Sequence, residues 1–294
     1  MPSVSVIIAT YNRSRVLRCA LESLRAQTFA DFDAWIVGDA CTDDSEAVVA
    51  AFCDRRLNWV NLPSRAGTQS GPNNEGLRRA TGEYAAYLGH DDLWMPWHLE
   101  TLVATATRTG ADFAHAGVVL IGPGGPREIY GDRKTRAQVS VAPPSGWLHR
   151  RGVAERVGFW KLPHEEPVGV DVGFQARAFD AGFRFEPTTN ATVLKFPSPW
   201  WRTYAADAEF PQRDYLARMQ ADATRLHREV LTDLALQYAR RVDAPSVGGG
   251  LKSALRGLQR EAGERYGVGR WPLAQYLRWR ARRRRARAQR DRGF

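Results

Sequence analysis

Strand-like and helix-like segments alternate over the first 121 residues, and this alternation most strongly limits what the chain can fold into. The segment Ser3–Ala9 is β-branched and apolar on both faces, as a buried parallel strand should be. Apolar residues from Val16 to Leu24 follow at helical spacing. Further strand patterns occupy residues 32–37, 57–62, 83–88 and 113–121, with helices predicted after Asp44 and from Pro96 to about Arg108. Strands joined by single helices predict right-handed crossovers and a doubly wound, mostly parallel α/β sheet.

The pattern changes in the second half of the chain. Residues 122–146 are rich in Gly and Pro and predict a long loop, with a small strand at Arg127–Tyr130. Residues 150–186 contain two amphipathic helical stretches, and apolar residues from Leu216 to Leu234 predict one long helix with a narrow apolar stripe. We therefore expect a domain at residues 1–200 and a helical, Arg-rich C-terminal extension at residues 201–294.

The positive charge of the chain is concentrated in its last 44 residues. The whole chain has a formal net charge of +10, but residues 251–294 hold 14 of the 42 basic residues and 3 of the 32 acidic ones. With the aromatic residues of 271–279, the Arg282–Arg285 run favours an anionic membrane surface as partner. Two alternatives stay open: a helix end that packs its Trp residues on the core and, disfavoured, a nucleic-acid arm.

Several features predict a cytoplasmic location, with peripheral attachment at the inner face of the plasma membrane as a possibility. The N-terminal apolar run is too short for a signal peptide and lacks a basic start. No stretch approaches the ~18 apolar residues of a transmembrane helix. The three cysteines lack metal-ligand spacing and are typical of free thiols in a reducing compartment.

An apolar run, residues 84–88, ends at two adjacent carboxylates, Asp91 and Asp92. Ligands on doubly wound sheets bind beyond the carboxyl ends of the strands, so this is where a cation and a phosphate-bearing ligand are expected. Carboxylates bind hard cations such as Mg²⁺ or Mn²⁺. Adjacent side chains on an extended segment point to opposite sides, which predicts different roles for the pair. The alternative is an N-cap for the helix that starts near Pro96.

Two more segments follow strands at the same edge. Tyr11 is suited to stacking on a nucleobase, although the segment would also serve as a plain strand-to-helix turn. Asp39, at a strand end, is suited to accepting a hydrogen bond from a base N–H, and an ordinary structural role is its open alternative. Thr42, Asp43 and Asp44 are explained more simply as helix-capping residues.

Taken together, these segments resemble the family 2 glycosyltransferases of the GT-A fold. The typical pattern is V-S-V-I-I-P-T-Y-N, then D-D-G-S-T-D-D-S, then L-D-x-D-D. This chain reads V-S-V-I-I-A-T-Y-N at residues 4–12, G-D-A-C-T-D-D-S at 38–45 and L-G-H-D-D at 88–92. Residues 71–84 also resemble the family's A-R-N-x-G-x-x-x-A-x-G-E-Y, but Pro72 and Asn73 stand where Ala and Arg would be.

The resemblance implies a nucleotide and metal site. Thr10, Tyr11 and Asp39 are expected to hold the nucleobase, Asp91 to lie near ribose and metal, and Asp92 to coordinate Mn²⁺ or Mg²⁺ through the diphosphate. The complete set expected to bind the nucleotide is Ala9, Thr10, Tyr11, Arg13, Asp39, Asn74 and Asp91.

The chain departs from the pattern in places that bear on this site. Gly89 replaces the first acid of the third motif, Arg65 is a candidate substitute for the missing arginine, and Lys195 is a candidate source of charge for the diphosphate.

The same resemblance assigns the catalytic base to Asp171, in a segment where Val170 replaces the family's glutamate. An inverting transfer needs one base to deprotonate the acceptor hydroxyl, which contributes roughly 10²–10⁴-fold. Without the resemblance, Asp171 would be taken as the N-cap of a helix running to Ala181. Four residues are candidates for acceptor binding, each with an ordinary core or surface role as its alternative: Trp147, His149, His164 and Glu165.

We therefore predict an inverting, metal-dependent glycosyltransferase that moves a sugar from a nucleotide sugar, with UDP expected, to a glycan, polysaccharide or lipid-linked acceptor. A dehydrogenase is disfavoured because no G-x-G-x-x-G follows Ala9. A nucleotidyltransferase shares the α/β layout but usually needs a glycine-rich loop after the first strand, which residues 9–15 lack. A binding or scaffold protein that kept the fold and lost catalysis also stays open, because Gly38, Gly89 and Val170 each replace an acid.

Overall fold

The computed structural model describes residues 2–130, 142–166, 169–201 and 210–243, with side chains up to residue 239. Nine strands and eight helices lie in these ranges. The strands are β1 (Val4–Thr10), β2 (Phe32–Gly38), β3 (Leu57–Asn61), β4 (Tyr84–Tyr87), β5 (Leu93–Trp94), β6 (Phe113–Gly122), β7 (Gly125–Tyr130), β8 (Trp147–Arg150) and β9 (Phe185–Lys195). The helices are α1 (Ser14–Arg25), α2 (Ser45–Ala50), α3 (Ser70–Arg79), α4 (His98–Thr109), α5 (Arg151–Val157), α6 (Val170–Asp180), α7 (Ser198–Trp201) and α8 (Pro211–Asp243).

All nine strands form one sheet in the order β3-β2-β1-β4-β8-β6-β9-β5, with β7 paired to β6. Strands β3, β2, β1 and β4 are parallel, which confirms the predicted doubly wound arrangement. Beyond β4 the sheet is mixed, because β8 pairs antiparallel with both β4 and β6, while β6 and β9 are parallel. We call these two regions the parallel half and the mixed half of the sheet.

The apolar pattern of the first strand and helix explains their packing. Val4, Val6, Ile7 and Ile8 are fully buried because β1 lies in the middle of the sheet with helices on both faces. The predicted helical stripe of α1 is buried on one side of the sheet. On the other side, Gly76 allows α3 to approach β1, since a Cβ there would lie 2.6 Å from Ile7.

Several elements were not predicted from the sequence. They include the ten-residue helix α3, the 11-residue strand β9, the two-residue strand β5 and the four-residue strand β8, which inserts between β4 and β6. Segments of two to four residues are too short to show a period, so only their partners in the folded sheet define them. The helix expected from Pro96 begins at His98 and ends, as predicted, near Arg108, with Gly110 in the left-handed conformation after it.

The predicted C-terminal helix is present but is not one straight helix. Asp222 has non-helical backbone angles (φ −163°, ψ 94°) and divides α8 into two parts. The Asp222 Oδ1 atom accepts the backbone N–H of Arg225 at 2.8 Å and so caps the second part. Arg218 and Glu229 form a 2.9 Å ion pair across the bend, whereas 11 residues of straight helix would separate them by roughly 16 Å.

The apolar stripe of α8 packs against the mixed half of the sheet. Leu216, Met219, Leu226 and Val230 are buried there in a cluster that also contains residues of β5, β6 and β9. The burial of this stripe confirms the helical periodicity, although the proposed division of the chain at residue 200 stays a prediction. Two compact units are present, one up to Gln237 and one from Tyr238 onward.

Two further predictions concern the C-terminal extension. The Arg282–Arg285 run and the aromatic residues of 271–279 lie outside the described residues, so the predicted partners of this stretch stay predictions. In the part of the chain that the structure does describe, none of the helices combines the length and apolar character needed to span a bilayer.

Candidate functional site

The carboxyl ends of β1, β2 and β4 bring the three sequence motifs to one edge of the sheet. Thr10 of β1 is in register with Gly38 of β2, and the backbone N–H of Asp39 donates to the Thr10 carbonyl at 2.8 Å. The turn after β4 is tied to the same place, because His90 Nδ1 lies 3.0 Å from the Ala9 carbonyl oxygen. Residues 81 positions apart in the chain therefore meet at one edge.

Asp39 holds the loop that follows β3. Its buried carboxylate accepts the backbone N–H groups of Ala66 at 2.6 Å and Gly67 at 2.9 Å. This loop carries Arg65, whose guanidinium carbon lies 3.9 Å from the centre of the Tyr11 ring. Sequence reasoning assigned Asp39 to the nucleobase and did not foresee the loop contact, which depends on the return of the chain after β3.

The other predicted nucleotide-binding residues have differing surroundings. Thr10 is buried, and Arg13 lies with its guanidinium carbon 5.7 Å from the ring centre of Phe210, just before α8. The side-chain amide of Asn74 makes two hydrogen bonds to the backbone of Trp160. Its Nδ2 donates to the Trp160 carbonyl and its Oδ1 accepts the Trp160 N–H, each at 2.9 Å. Asn74 therefore fastens α3 to the segment before α6, a role that the sequence motif did not indicate.

Asp92 is completely buried, and its carboxylate is occupied by donors from the protein. It accepts the hydroxyl of Ser145, the ammonium of Lys195 at 3.0 Å and the backbone N–H of Phe196 at 3.3 Å. Burial raises the pKa of the Asp92 carboxyl, although the ammonium of Lys195 acts in the opposite direction. Asp92 is not an N-cap, since α4 begins six residues later with Trp97 at that position.

The burial of Asp92 also explains the glycine that replaces the first acid of the motif. A Cβ on Gly89 would lie 2.7 Å from Asp92 Oδ2 and 3.2 Å from the hydroxyl oxygen of Ser145. Because the carboxylate and the hydroxyl fill this space, a side chain at position 89 would have to displace one of them.

Lys195, the last residue of β9, faces the site from the mixed half of the sheet. Its side chain is 28% exposed and pairs with the fully buried Asp92. Burial alone would lower the pKa of Lys195, but the carboxylates of Asp92, Asp91 and Asp171 together hold it above its usual range. The carboxylates of three site candidates from the sequence, Asp91, Asp92 and Asp171, therefore all interact electrostatically with the Lys195 ammonium.

Asp91 occupies the turn after β4 and is half-buried. Its backbone carbonyl accepts the side-chain amide of Gln212 from α8 at 3.0 Å, while no side chain within the described ranges donates to its carboxylate. Across residues 2–130, 142–166, 169–201 and 210–243, no group of three His, Cys, Asp or Glu side chains is arranged to hold a metal ion. The acidic side chains at this sheet edge fit a divalent ion only if the oxygens of a bound diphosphate complete the ligand set.

Asp171 lies in the first turn of α6 and is half-buried. The N-cap of this helix is Gly169, at φ 118°, and no side chain caps it. The alternative role of Asp171 as an N-cap is therefore wrong. In the described part of the chain its carboxylate has no hydrogen-bond donor.

Two of the four candidates for acceptor binding are core residues. Trp147 is fully buried, stacks on Trp160 with ring centres 5.7 Å apart and donates its indole N–H to the Ala142 carbonyl. His149 is fully buried beside the Tyr87 hydroxyl at 2.9 Å, and burial lowers its pKa to about 4. Neither side chain reaches the surface, so the structure corrects the expectation that they contact an acceptor.

The other two candidates, His164 and Glu165, are exposed on the loop before α6. Glu165 accepts the backbone N–H of Leu162 at 2.9 Å, which lowers the pKa of its carboxyl. An ion pair between Glu166 and Arg177 fastens this loop to α6. The loop is therefore held beside Asp171 with His164 and Glu165 open to solvent.

The sequence of this chain matches a known protein family and several curated relatives. The family model "Glycosyl transferase family 2" matches residues 5–167, which is more than half of the chain. The chain is 34% identical over 109 residues to the GalNAc(5)-diNAcBac-PP-undecaprenol beta-1,3-glucosyltransferase of Campylobacter jejuni, covering 36% of this chain and 35% of that protein. The chain spans about a third of the length of the first curated relatives it matches.

Solved structures share the fold at lower identity. The Staphylococcus aureus TarS 1–349 structure in complex with UDP-GlcNAc has a TM-score of 0.59 and 18% identity, covering 84% of this chain and 74% of that one. The mannosyltransferase PcManGT of Pyrobaculum calidifontis, in complex with GDP-Man and Mn²⁺, has a TM-score of 0.53 and 19% identity, covering 90% and 81%. At these identities the likeness concerns the fold alone, and it agrees with the predicted GT-A architecture.

Proposed function

This chain belongs to glycosyl transferase family 2, and we propose that it transfers a sugar from a nucleotide sugar to a glycan, polysaccharide or lipid-linked acceptor with inversion of configuration. The observation that carries the proposal is the meeting of three sets of groups at one sheet edge. Arg65 lies on the ring of Tyr11, Lys195 pairs with Asp92, and the carboxylates of Asp91 and Asp171 both act electrostatically on Lys195.

The nucleobase of the sugar donor is proposed to bind at Tyr11 and at the loop that Asp39 holds. An aromatic ring stacks on any nucleobase, and the Arg65 guanidinium, which covers one face of Tyr11, adds a planar cationic surface beside the ring. Thr10 lies at the end of β1 beside them. The complex of TarS with UDP-GlcNAc supports UDP as the nucleotide of the donor.

Mn²⁺ or Mg²⁺ is the proposed cofactor, supported by the Mn²⁺ complex of PcManGT. A bound divalent ion would supply positive charge to the diphosphate of the donor. Asp91 is the residue that would hold it, because its carboxylate has no described donor. The predicted role of Asp92 as a metal ligand is harder to support, since Ser145, Lys195 and Phe196 already donate to its carboxylate.

The proposed base is Asp171. The acceptor hydroxyl oxygen attacks the anomeric carbon, and the bond from that carbon to the diphosphate oxygen breaks. Its electron pair leaves with the nucleoside diphosphate, while the acceptor proton passes to the Asp171 carboxylate. The beta linkage in the name of the Campylobacter jejuni relative is the product expected when an α-linked donor is inverted.

The acceptor is proposed to approach from the loop that carries His164 and Glu165. The Campylobacter jejuni relative is named for an undecaprenol-linked acceptor, which supports a lipid-linked substrate and work at the inner face of the plasma membrane. Liposome flotation with and without residues 271–294 tests the contribution of the Arg-rich tail. Equal flotation of both proteins would contradict a membrane role for that tail.

The central experiment is turnover of a panel of UDP-, GDP- and dTDP-sugars with undecaprenyl-diphosphate-linked and soluble glycan acceptors in the presence of Mn²⁺. We expect release of UDP with at least one UDP-sugar and formation of a beta-linked product. Binding of UDP without turnover for any donor would favour the binding-protein alternative. Release of pyrophosphate from nucleoside triphosphates would instead favour the nucleotidyltransferase.

A further inference from the structure

Gln175 lies on the same face of α6 as Asp171, one turn further along the helix. Residues four apart on a helix are neighbours, with about 5–6 Å between their Cβ atoms. Helical side chains also lean toward the N-terminus, so the side chain of Gln175 extends over the turn that carries Asp171. The helix therefore places a carboxamide next to the proposed base.

The orientation of this carboxamide is fixed by its hydrogen bonds. Gln175 is fully buried, and its Nε2 donates to the Ala142 carbonyl at 3.1 Å. The same carbonyl accepts the indole N–H of Trp147 at 3.1 Å, so both of its lone pairs are used. Because a carbonyl oxygen can only accept, the nitrogen of the Gln175 amide must face it and the oxygen must face away.

The Oε1 atom of Gln175 is buried and accepts no hydrogen bond from the described residues. The charged carboxylate of Asp171 cannot satisfy this oxygen, because it is itself only an acceptor. Once the carboxylate takes a proton, its O–H becomes a donor on the helix face where an oxygen lacks a partner. The two side chains are therefore complementary only when Asp171 is protonated.

We propose that Gln175 is a positioning residue for the base, whose Oε1 accepts the O–H of Asp171 once the acceptor proton has been transferred. The inference rests on the proposed function, in which the acceptor hydroxyl gives its proton to the Asp171 carboxylate. That proton stays on Asp171, and Gln175 neither gains nor loses one. The new hydrogen bond stabilises the protonated base and the transition state that leads to it, and it is absent when the donor first binds.

Gln175 should therefore affect the chemical step and leave donor binding unchanged. An interaction made only in the transition state raises kcat without changing ground-state affinity. One hydrogen bond between neutral groups should contribute about 3–10-fold to kcat.

The first test is a double-mutant cycle on turnover that combines Gln175→Met with Asp171→Ala. Methionine has nearly the length of glutamine and lacks the Oε1 acceptor. We expect Gln175→Met to lower kcat by about 3–10-fold in the parent at unchanged UDP affinity. In the Asp171→Ala background it should change the residual turnover by less than about 2-fold, because no base is left to position.

The matched control for the lost amide is Gln237→Met. Gln237 also donates its side-chain amide to a backbone carbonyl, that of Pro126, but it does so from α8. This variant loses the same kind of hydrogen bond and should keep the kcat of the parent.

The second test measures unfolding and needs no turnover. Asp171→Asn carries an amide N–H where the protonated base carries its O–H, so it should donate to Gln175 Oε1 permanently. The loss of charge at the helix N-terminus is common to both backgrounds and cancels in the comparison. We expect Asp171→Asn to change the melting temperature more favourably, by about 2 °C or more, with Gln175 present than in the Gln175→Met background.

Coupling between positions 171 and 175 in both tests supports the proposal, and its absence from either one overturns it. A purely structural glutamine would lower kcat equally in both backgrounds and would show no coupling in unfolding. Coupling in unfolding together with no turnover of any donor would instead contradict the proposed function, because the contact would then exist without the reaction it is meant to serve.

Discussion

The parallel and mixed halves of the sheet contribute different kinds of groups to the candidate site. The parallel half supplies residues that directly follow strands, such as Tyr11, Asp39 and Asp91. The mixed half supplies Lys195 at the end of β9 and, just before β8, Ser145, which together decide the surroundings of Asp92. The first half thus offers a surface for the donor, while the second determines the charge of the site.

Neighbouring residues Asp91 and Asp92 show what this difference means. The turn leaves Asp91 half-buried without a described donor on its carboxylate, whereas Asp92 enters the core and accepts three donors that all come from the mixed half. Two adjacent residues of the same type therefore have different chemistry because different halves of the sheet surround them.

The largest expected effect is on catalysis. Substitution Asp171→Asn should lower kcat by about 10²–10⁴-fold, because the amide cannot take the acceptor proton, while UDP affinity should change little. Steady-state turnover and UDP titration measure the two quantities. Asp233→Asn, on the exposed face of α8, is the matched control and should retain full activity. An active Asp171→Asn enzyme would contradict the role of this residue as base.

The next effect concerns stability, and it tests the mixed half. Lys195→Gln leaves the carboxylate of Asp92 buried without its cation, which should lower the free energy of unfolding by about 3–5 kcal/mol at pH 7. The loss should shrink on acidification. Burial already raises the pKa of Asp92 in the folded state, and without Lys195 it rises further, so the carboxyl becomes protonated and neutral as the pH falls.

Urea denaturation at pH 5 and pH 7 measures this effect. The double variant Asp92→Asn with Lys195→Met should lose less stability than Lys195→Gln at pH 7, since no buried charge is left unpaired. Equal losses at both pH values would indicate that lost packing, and not the charge of Asp92, determines the effect.

A smaller effect tests the parallel half. Tyr11→Leu should weaken binding of uridine and UDP alike by about 10-fold, because stacking of a base on an aromatic ring contributes about 1–3 kcal/mol. The loss should be uniform because the ring contacts the base, which uridine and UDP share. Calorimetric titration of uridine and of UDP measures both affinities, and a loss confined to UDP in Tyr11→Leu would contradict the assignment of the base to the parallel half.

The smallest effect concerns a buried histidine of the mixed half. His115 is fully buried beside the stacked rings of Phe113 and Phe185, and within the described residues neither ring nitrogen has a hydrogen-bond partner. Replacing an unsatisfied buried polar group by an apolar one of similar size should stabilise the protein, so we expect His115→Leu to add about 1 kcal/mol at pH 7.

The gain from His115→Leu should widen on acidification. Burial lowers the pKa of His115 to about 3, so between pH 6.5 and 3 the unfolded chain binds a proton that the folded protein does not. The parent therefore loses stability as the pH falls through this range, and the variant avoids that contribution. Thermal unfolding at pH 5 and pH 7 measures it, and a less stable variant at both pH values would show that the imidazole has a partner.

The fold of the parallel half was predictable because its elements carry clear periods. The apolar runs of β1 and β2 and the helical stripe of α1 appear in the order that a doubly wound sheet requires. The mixed half was harder to predict, since β8 has four residues and β5 has two, and such short segments are defined by their partners. Trp147 and His149 belong to β8, and for the same reason they were candidates for acceptor binding although they occupy the core.

The sequence by itself determined the family, the doubly wound half of the sheet and the motifs that converge at its edge, because these depend on residue order and local periodicity. Only the tertiary structure decided that Asp39 holds the Arg65 loop and that Asn74 hydrogen-bonds to the backbone of Trp160. The same is true of the pair between Asp92 and Lys195, which are 103 positions apart in the chain. Burial and ion pairing depend on which distant segments surround a side chain, and this information appears only when the chain is folded.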